Sequence, residues 1–420
     1  MKILKTEYFK NIYNQAILVF IAQLIPVIFS PVIARLYNEN AIAEITGLIS
    51  FSSILLVFSS LKIENAIVLE KEDRKAEQIV FLTVLLSFSY AIIAFFGILF
   101  FEEEIAKVFK INTVIKFVPL YILSYSLLNI LNFWFVRVKK FKLKAYSKVI
   151  ESITYLMFLL SLYYLIGNNQ LGLALGKILG VLIALIILYK YSSFKLKKTS
   201  FKNLKDILIK YKDFPLHNAP SNLINVIGLQ LIVVFIGVYF SKENFGYFGL
   251  ANMIILLPIS FISQSVGSIF FQKVSENYIS KDYSQLTKTF YQTFFLLLAI
   301  AIPVFLIIFF GSEFIFSFVY GENWLMSGKI ASLLAIVFLF QMTISPLGIF
   351  LIAINKVKIN AYWQYGRFIF MAILMFLLLN EFKVSFLSFI FYYSISVAFV
   401  YIVYLGIIIM QLRALKNEFN

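Results

Sequence analysis

Long apolar stretches, separated by short polar breaks, follow one another along the entire chain. A membrane-spanning helix requires about 20 predominantly apolar residues, so twelve of them would require about 240. Hydrophobic residues make up 61% of the 420 positions, which is enough for twelve. We therefore expect an all-α polytopic membrane protein. The stretches predict twelve spans, numbered in chain order, at residues 12–36, 41–61, 78–100, 113–136, 147–166, 171–190, 215–240, 245–270, 288–310, 327–353, 358–380 and 384–410.

The low content of charged residues also indicates that lipid is the main solvent. Charged residues make up 14% of the chain, whereas a soluble domain contains about 25%. Secreted enzymes, cytosolic enzymes and nucleic-acid-binding domains fit this composition poorly, and we expect no nucleic-acid partner. The chain has no Cys and one His, His217, which excludes disulfides, thiolate metal sites and multi-His metal sites.

The distribution of basic residues predicts the orientation in the membrane. With the N-terminus in the cytoplasm, 29 of the 37 Lys and Arg residues fall on the cytoplasmic side and eight on the other side. The acidic residues divide into 12 and nine, which leaves net charges of +17 inside and −1 outside. Because cytoplasmic loops of membrane proteins are enriched in Lys and Arg, we expect both termini in the cytoplasm.

The longest inner segment divides six spans from six. Within it, one helical face contains Leu204, Ile207, Leu208 and Tyr211, and most of the lysines lie elsewhere. This pattern is typical of an amphipathic helix that lies on the inner leaflet of the membrane. We therefore predict an N-terminal six-helix bundle at 1–190, a cytoplasmic connector at 191–214 and a C-terminal six-helix bundle at 215–420.

A weak internal repeat supports this division into halves. The segment LYNENAIAEITGLIS (Leu36–Ser50) follows span one, and YFSKENFGYFGLANM (Tyr239–Met253) follows span seven. Both place Glu-Asn in a short outer turn before a moderately polar helix. Since both halves begin in the same direction, the repeat is parallel, as in several transporter folds.

Three cations within or at the end of predicted spans are candidates for a substrate site, because intramembrane charge is costly. Lys177 lies in span six, within a G-x-x-x-G-x-x-x-G stripe of small residues that begins at Gly172 and is typical of close helix packing. Arg35 ends span one, and Arg367 lies inside span eleven. For each, the alternative is that the side chain extends to the membrane surface.

Several predicted spans contain uncharged polar residues. A polar stripe in a lipid-embedded helix must face other helices or water. We interpret these residues as the lining of a hydrophilic cavity, with hydrogen bonding between helices as the alternative. In span seven, Asn218, Ser221 and Asn225 share one helical face. His217, beside them, is interpreted as a structural residue, with a proton-sensitive group as the alternative. The candidate substrate-binding residues are Arg35, Lys177, Arg367, Asn218, Ser221, Asn225, Gln230 and Gln264.

Catalytic motifs are not evident. The chain has no G-x-x-x-x-G-K-[ST] motif, which argues against ATP hydrolysis. The outer triplet Glu102–Glu104 is interpreted as part of a solvated loop. Glu64 and Glu151, near the inner ends of spans two and five, are expected to form structural salt bridges with nearby cations such as Lys62, Arg137 or Lys148.

Several strings, in order along residues 30–348, resemble one transporter family. The quoted strings are SPVIARLYNEN (Ser30–Asn40), LKIENAIVLEKEDRKAE (Leu61–Glu77), YKDFPLHNAPSNLIN (Tyr211–Asn225), LLPISFISQSVGSIFFQKVSE (Leu256–Glu276), GSEFIFSFVYGENW (Gly311–Trp324) and SPLG (Ser345–Gly348). The ordered set resembles the Wzx-type flippases of O-antigen and capsular polysaccharide. Their superfamily also contains the multidrug and toxic compound extruders and the lipid II flippases.

The resemblance implies twelve helices in two six-helix bundles arranged as a V. It also implies a substrate of undecaprenyl-pyrophosphate-linked oligosaccharide, moved from the cytoplasmic to the outer leaflet of the bacterial inner membrane by alternating access. Cationic cavity residues of the family are thought to meet the pyrophosphate. Arg35 falls in a matching motif, although Ala34 stands where the family usually has a hydroxyl residue. Lys177 and Arg367 are inferred from burial.

Two other functions are weighed against this hypothesis. A multidrug or cation antiporter of the same fold should show a membrane carboxylate for cation coupling, and Glu64 and Glu151 are expected near the span ends. A membrane enzyme usually requires a sizeable outer loop with catalytic residues. We expect a transporter rather than an enzyme, with no cofactor, with coupling to H⁺ or Na⁺ left open, and with membrane lipids and polysaccharide polymerase machinery as candidate partners.

Overall fold

The computed structural model describes residues 25, 27–167, 170–192 and 199–419, and every regular element among them is helical. Within this part of the chain, nine helical segments are long and apolar enough to cross a membrane. The predicted all-α polytopic fold is therefore confirmed. The α-helices are α1 (Val27–Leu36), α2 (Glu39–Leu55), α3 (Ala66–Leu69), α4 (Asp73–Phe100), α5 (Glu102–Phe109), α6 (Val118–Arg137), α7 (Phe141–Ile166), α8 (Gln170–Tyr191), α9 (Phe201–Lys210), α10 (Ala219–Tyr239), α11 (Lys242–Ile279), α12 (Tyr283–Tyr320), α13 (Leu325–Ile344), α14 (Ile349–Ala353), α15 (Val357–Asn380) and α16 (Phe386–Phe419).

The nine membrane-crossing segments coincide with predicted spans three to seven and nine to twelve. Span eight falls in α11, whose 38 residues give a length of about 57 Å at 1.5 Å per residue. Span two begins in α2, which has 17 residues and is followed by turns and a short 3₁₀-helix, Ile63–Asn65. Predicted span one lies mostly outside the described residues. The C-terminal part of this span corresponds to α1.

The helices form two compact units, residues 1–246 and 247–420. In the first unit, α7 packs along α8, and α4 and α6 pack together. Helix α10 also belongs to this unit because it contacts α2 and α5. In the second unit, α13 packs against α12 and α16. The six-plus-six division at 191–214 concerns the order of spans along the chain, and it stays a prediction.

The small-residue stripe of α8 brings this helix close to α7, as predicted. A Cβ atom added at Gly180 would lie 2.9 Å from the backbone nitrogen of Tyr155, and one at Gly176 would lie 3.1 Å from that of Leu159. Thr154 of α7 also donates a hydrogen bond of 3.1 Å to the carbonyl of Gly180. Side chains larger than hydrogen would push the two helices apart at these positions, so the glycines fix their spacing.

The amphipathic connector helix α9 has a different environment from the predicted one. Leu204 and Ile207 are buried, and they join a core cluster with Ile63, Ile67 and Phe135. The apolar face of α9 therefore packs on protein, where we had expected it to lie on the inner leaflet. The reason is that α4, against which α9 packs, contributes an apolar surface to this cluster and buries the face without lipid.

Candidate functional site

A buried carboxylate, Glu151 of α7, binds two lysines and a tyrosine in the first unit. Lys177 of α8 donates to Glu151 Oε1 at 2.9 Å, and Lys148, one turn earlier on α7, donates to Oε2 at 3.1 Å. The hydroxyl of Tyr125 on α6 also donates to Glu151 Oε1, at 3.2 Å. We call these four residues the Glu151 cluster. It combines one negative and two positive charges.

Aromatic rings surround the two ammonium groups of the Glu151 cluster. The Lys177 Nζ atom lies 5.1 Å from the centre of the Tyr155 ring, and Lys148 Nζ lies 5.1 Å from that of Tyr125. Lys148 also donates a hydrogen bond to the Tyr125 hydroxyl at 3.1 Å. Ring faces attract cations, and the effect is stronger where water is excluded. The cations are therefore stabilised inside a helical bundle, where charge is otherwise costly.

The Glu151 side chain lies deeper in the protein than the lysines that bind it. The exposed fraction of the side chain is 4% for Glu151, 20% for Lys177 and 44% for Lys148. The two lysine side chains are thus more exposed than the carboxylate that they bind. The arrangement can bind an anionic group from the accessible side.

The sequence predicted part of this cluster. The pairing of Glu151 with Lys148 is confirmed, and Lys177 was singled out as an intramembrane cation. The pairing of Lys177 with Glu151 was missed, although the small-residue stripe around Lys177 was a signal that α8 lies close to another helix. The sequence does not show which helix packs against α8 or in which register, because both depend on the tertiary packing. Glu64 is also buried, but it accepts a hydrogen bond from the Ser60 hydroxyl in place of the predicted cation.

The polar residues of span seven meet in a cavity at the start of α10. A π-helical turn, Phe214–Asn218, precedes α10 and places the predicted residues Asn218, Ser221 and Asn225 on one cavity wall. Single π-helical turns are frequent at functional sites. The cavity is an open depression of about 620 Å³, and most of the residues that line it are exposed. Its lining consists of Asp213, Phe214, His217, Asn218, Ser221, Asn222 and Asn225.

Two further candidate residues of the first unit, Gln230 and Arg35, are not among the residues that line this cavity. Gln230 is half-buried on α10, beyond the residues that line the cavity. Arg35 is exposed at the C-terminal end of α1. Gln264 falls in α11 of the second unit, and its side chain lies outside the described part of the structure. These positions stay candidates by prediction.

Arg367 occupies an aromatic environment in the second unit. Its guanidinium carbon lies 5.1 Å from the centre of the Trp363 ring, which in turn stacks on Tyr404 at 3.7 Å between ring centres. Tyr404 donates a hydrogen bond of 2.6 Å to Asn360. The half-buried arginine is thus stabilised by the Trp363 ring on α15, which α16 holds in place through Tyr404.

A second set of charges lies at the end of the first unit that the charge count assigns to the cytoplasm. Glu70 accepts hydrogen bonds from Lys210 and Tyr211, at the end of α9. The hydrogen bond from Lys210, assisted by those from Tyr211 and the backbone of Glu72, lowers the pKa of Glu70 from its ordinary value of 4.5 to about 2. Arg137 donates to the carbonyls of Ile67 and Glu70. The bonds to Lys210 and Tyr211 connect the end of α9 to the segment before α4, and those from Arg137 connect α6 to the same segment.

Another buried carboxylate, Glu44 of α2, lies at the opposite end. It accepts backbone N–H bonds from Thr113 at 3.1 Å and Val114 at 3.2 Å, and an ammonium bond from Lys242 at 2.6 Å. The two predicted repeat segments meet at this end, because a Cβ atom at Gly246 would lie 2.0 Å from the carbonyl oxygen of Glu39. Only glycine allows such a close approach of two backbones.

The fold is similar to those of several solved transporter structures. The chain resembles a multidrug resistance MATE family transporter of the MOP superfamily in its inward-facing conformation (TM-score 0.73, 15% identity, 99% of this chain and 97% of that one). It also resembles the lipid II flippase MurJ (TM-score 0.67, 16% identity, 93% and 85%) and a MOP superfamily transporter from Pyrococcus furiosus (TM-score 0.61, 16% identity, 98% and 98%). The fold is therefore that of the MOP superfamily transporters.

The sequence comparisons give the family within this class. Residues 49–329 match the model of a family described as polysaccharide biosynthesis protein, and the chain belongs to this family. A curated relative is the teichuronic acid biosynthesis protein TuaB of Bacillus subtilis (strain 168), with 26% identity over 151 residues. That alignment covers 35% of this chain and 30% of the relative. The resemblance to polysaccharide flippases of the superfamily is thus confirmed.

Proposed function

We propose that this protein moves an undecaprenyl-pyrophosphate-linked oligosaccharide from the cytoplasmic to the outer leaflet of the bacterial inner membrane by alternating access. The Glu151 cluster is the observation that most directly supports the proposal. It places two lysine side chains, both more exposed than the carboxylate that they bind, on helices that are apolar enough to cross a membrane. A pyrophosphate loses hydration when it enters such a site, and charge-assisted hydrogen bonds from lysines would offset that loss.

The cavity at the start of α10 fits the saccharide part of this substrate. Its amide and hydroxyl side chains, Asn218, Ser221, Asn222 and Asn225, both donate and accept hydrogen bonds. Sugar hydroxyls need partners of both kinds, and the Phe214 ring offers an apolar surface to a sugar face. Membership of a polysaccharide biosynthesis family agrees with a carbohydrate substrate.

A cation or multidrug antiporter is the alternative function, and the burial of Glu151 favours it more than the sequence indicated. A buried membrane carboxylate is what cation coupling requires. In this structure, however, the carboxylate already binds two ammonium groups. A cationic drug would have to compete with both, whereas an anion would find donors available. The cluster therefore favours an anionic substrate.

Transport in proteoliposomes tests the proposed function. A fluorescent lipid-linked oligosaccharide is followed as it moves between leaflets, by its accessibility to a quencher added outside. We expect Lys177→Met and Lys148→Met each to lower the rate by at least about tenfold, the loss that corresponds to roughly 1.4 kcal/mol.

Lys144→Met is the matched control, because Lys144 lies on α7 one turn before Lys148. Its rate should stay close to that of the wild type. A normal rate for both Lys177→Met and Lys148→Met, in folded protein, would contradict the proposal. Efflux of cationic dyes by the same proteoliposomes would favour the antiporter.

Orientation and partners belong to the same proposal. Because the chain has no Cys, single cysteines introduced at 62–77 report their side without background. They should react with a membrane-impermeant reagent only from the cytoplasm; labelling from outside would reverse the orientation.

Polysaccharide polymerase machinery is the proposed recipient of the flipped saccharide, and co-purification after crosslinking in cells tests that association.

A further inference from the structure

We propose that Glu151 takes up a proton when the diphosphate group of a lipid-linked saccharide binds Lys148 and Lys177. The inference rests on the proposed function and adds a coupling between substrate and proton at the same site. It starts from the charge balance of the Glu151 cluster. Without a ligand, one carboxylate compensates two ammonium groups, which leaves a net charge of +1.

The geometry allows an anion to replace the carboxylate as the partner of both lysines. An ammonium group has three donor hydrogens, and the structure shows Lys177 using one on Glu151 and Lys148 using one on Glu151 and one on Tyr125. Their side chains are more exposed than that of Glu151. A diphosphate that approaches from the accessible side therefore meets the lysines before it meets the carboxylate.

Replacement would leave Glu151 buried beside a polyanion. Like charges at close range disfavour the ionised form of a carboxyl group, and burial acts in the same direction. The titratable groups that face Glu151 from its own helix and from the helices packed on it are Lys148 and Tyr155 on α7, Tyr121 and Tyr125 on α6, and Lys177 on α8. Glu151 is the carboxylate of this set, so it is the group that would accept the proton. The proton comes from the buffered solvent: one bond to hydrogen breaks in a hydronium ion or a buffer acid, and one O–H bond forms on the carboxylate.

The coupling between proton binding and diphosphate binding can be measured. If diphosphate binding raises the proton affinity of Glu151, then protonation raises the affinity for the diphosphate by the same factor. Coupling of this kind typically changes affinity about 5–150-fold. With about one proton taken up per ligand, we expect the affinity to increase about tenfold per pH unit, and so about a hundredfold between pH 8 and pH 6.

Calorimetry on the full chain in lipid nanodiscs tests the inference. The probe is farnesyl-diphospho-N-acetylglucosamine, a diphosphate substituted at both ends, so that it has no proton of its own to exchange near neutral pH. Titration in two buffers with different ionisation enthalpies gives the number of protons bound with the ligand. We expect about one proton in the wild type and none in Glu151→Gln, which mimics the protonated state and should bind the probe at least as tightly.

Glu64→Gln is the matched control, because Glu64 is also buried but hydrogen-bonded to Ser60; its proton uptake should equal that of the wild type. Phosphatidylglycerol, a singly charged lipid, should not reproduce the uptake. If Glu151→Gln does not fold, the pH dependence of the affinity of the wild type for the probe tests the inference instead. Binding without proton uptake, or with pH-independent affinity, overturns the inference alone, whereas absence of binding by any lipid-linked diphosphate overturns the proposed function as well.

Discussion

Two buried carboxylates in the first unit, Glu44 and Glu151, both bind lysines, but their other partners differ. Glu44 has no exposed surface and accepts hydrogen bonds from the backbone N–H groups of Asn112, Thr113 and Val114. Glu151 accepts all its described hydrogen bonds from side chains. Backbone donors move only if the segment that contains them moves, whereas lysine and tyrosine side chains change rotamers. Glu44 is therefore a fixed structural anchor, and Glu151 is suited to partner exchange.

The largest expected effect comes from Glu44→Ala. It would leave the Lys242 ammonium and three backbone N–H groups without their acceptor, and removal of one partner of a buried pair costs about 3–5 kcal/mol. We expect a marked loss of thermal stability in detergent, measured by the unfolding temperature. Glu103→Ala, on the exposed face of α5, is the control and should leave that temperature unchanged. Equal stability of both variants would remove the distinction between anchor and exchangeable site.

A substitution that separates α7 from α8 should abolish transport. Gly180→Val places methyl groups where a Cβ already lies 2.9–3.1 Å from the α7 backbone, so the helices must move apart and Lys177 must lose its contact with Glu151. The measurement is the flipping rate relative to the amount of folded protein. Gly366→Val tests the same change on α15, where nothing lies within 4 Å of an added Cβ. We expect it to transport normally, and similar losses in both would refute the argument.

A double-mutant cycle sharpens the comparison further. If Lys177 and Glu151 form an exchangeable pair, the loss of stability in Lys177→Met/Glu151→Gln should be smaller than the sum of the single losses, since neither charge then remains buried alone. Unfolding temperatures of the four proteins give the coupling. Additive losses would show that the two side chains do not interact in the protein as it exists in detergent.

The smallest effect is expected at Glu70, whose partners lie outside the membrane spans. Because the folded-state pKa of Glu70 is about 2, below its ordinary value of 4.5, its bonds to Lys210 and Tyr211 stabilise the protein above about pH 4.5. That contribution is lost as the pH falls towards 2. Lys210→Met should therefore lower the unfolding temperature slightly at pH 7, and the difference from the wild type should shrink between pH 4.5 and pH 2. A difference that does not depend on pH would contradict this assignment.

Much of the fold was predictable because lipid imposes a simple rule on sequence. A helix that crosses a membrane must be apolar over about 20 residues, and this pattern located spans three to seven and nine to twelve. The glycine stripe likewise predicted close packing of α8. The connector helix shows where such reasoning failed. Amphipathicity gives the direction of the apolar face of α9, but an inner leaflet and a protein surface accept that face equally well.

The candidate site was predictable residue by residue but not as a cluster. Burial cost singled out Lys177, proximity along the chain made Lys148 one of the candidate partners of Glu151, and helical spacing grouped Asn218, Ser221 and Asn225 on one face. These are local rules that depend on neighbours within a few residues. The contact between Lys177 and Glu151 joins positions 26 residues apart, and the one between Lys242 and Glu44 joins positions 198 apart. Nothing in local spacing specifies either pair.

The sequence by itself determined that this protein is helical, embedded in lipid and asymmetric in charge, because hydropathy and charge act on each segment separately. The tertiary structure decided which buried charges neutralise each other, since pairing depends on how the helices pack and in which register. It thereby showed that two glutamates, which the sequence alone does not distinguish, have different kinds of hydrogen-bond partner. Glu44 is held by backbone N–H groups that cannot rotate away, and Glu151 by side chains that can.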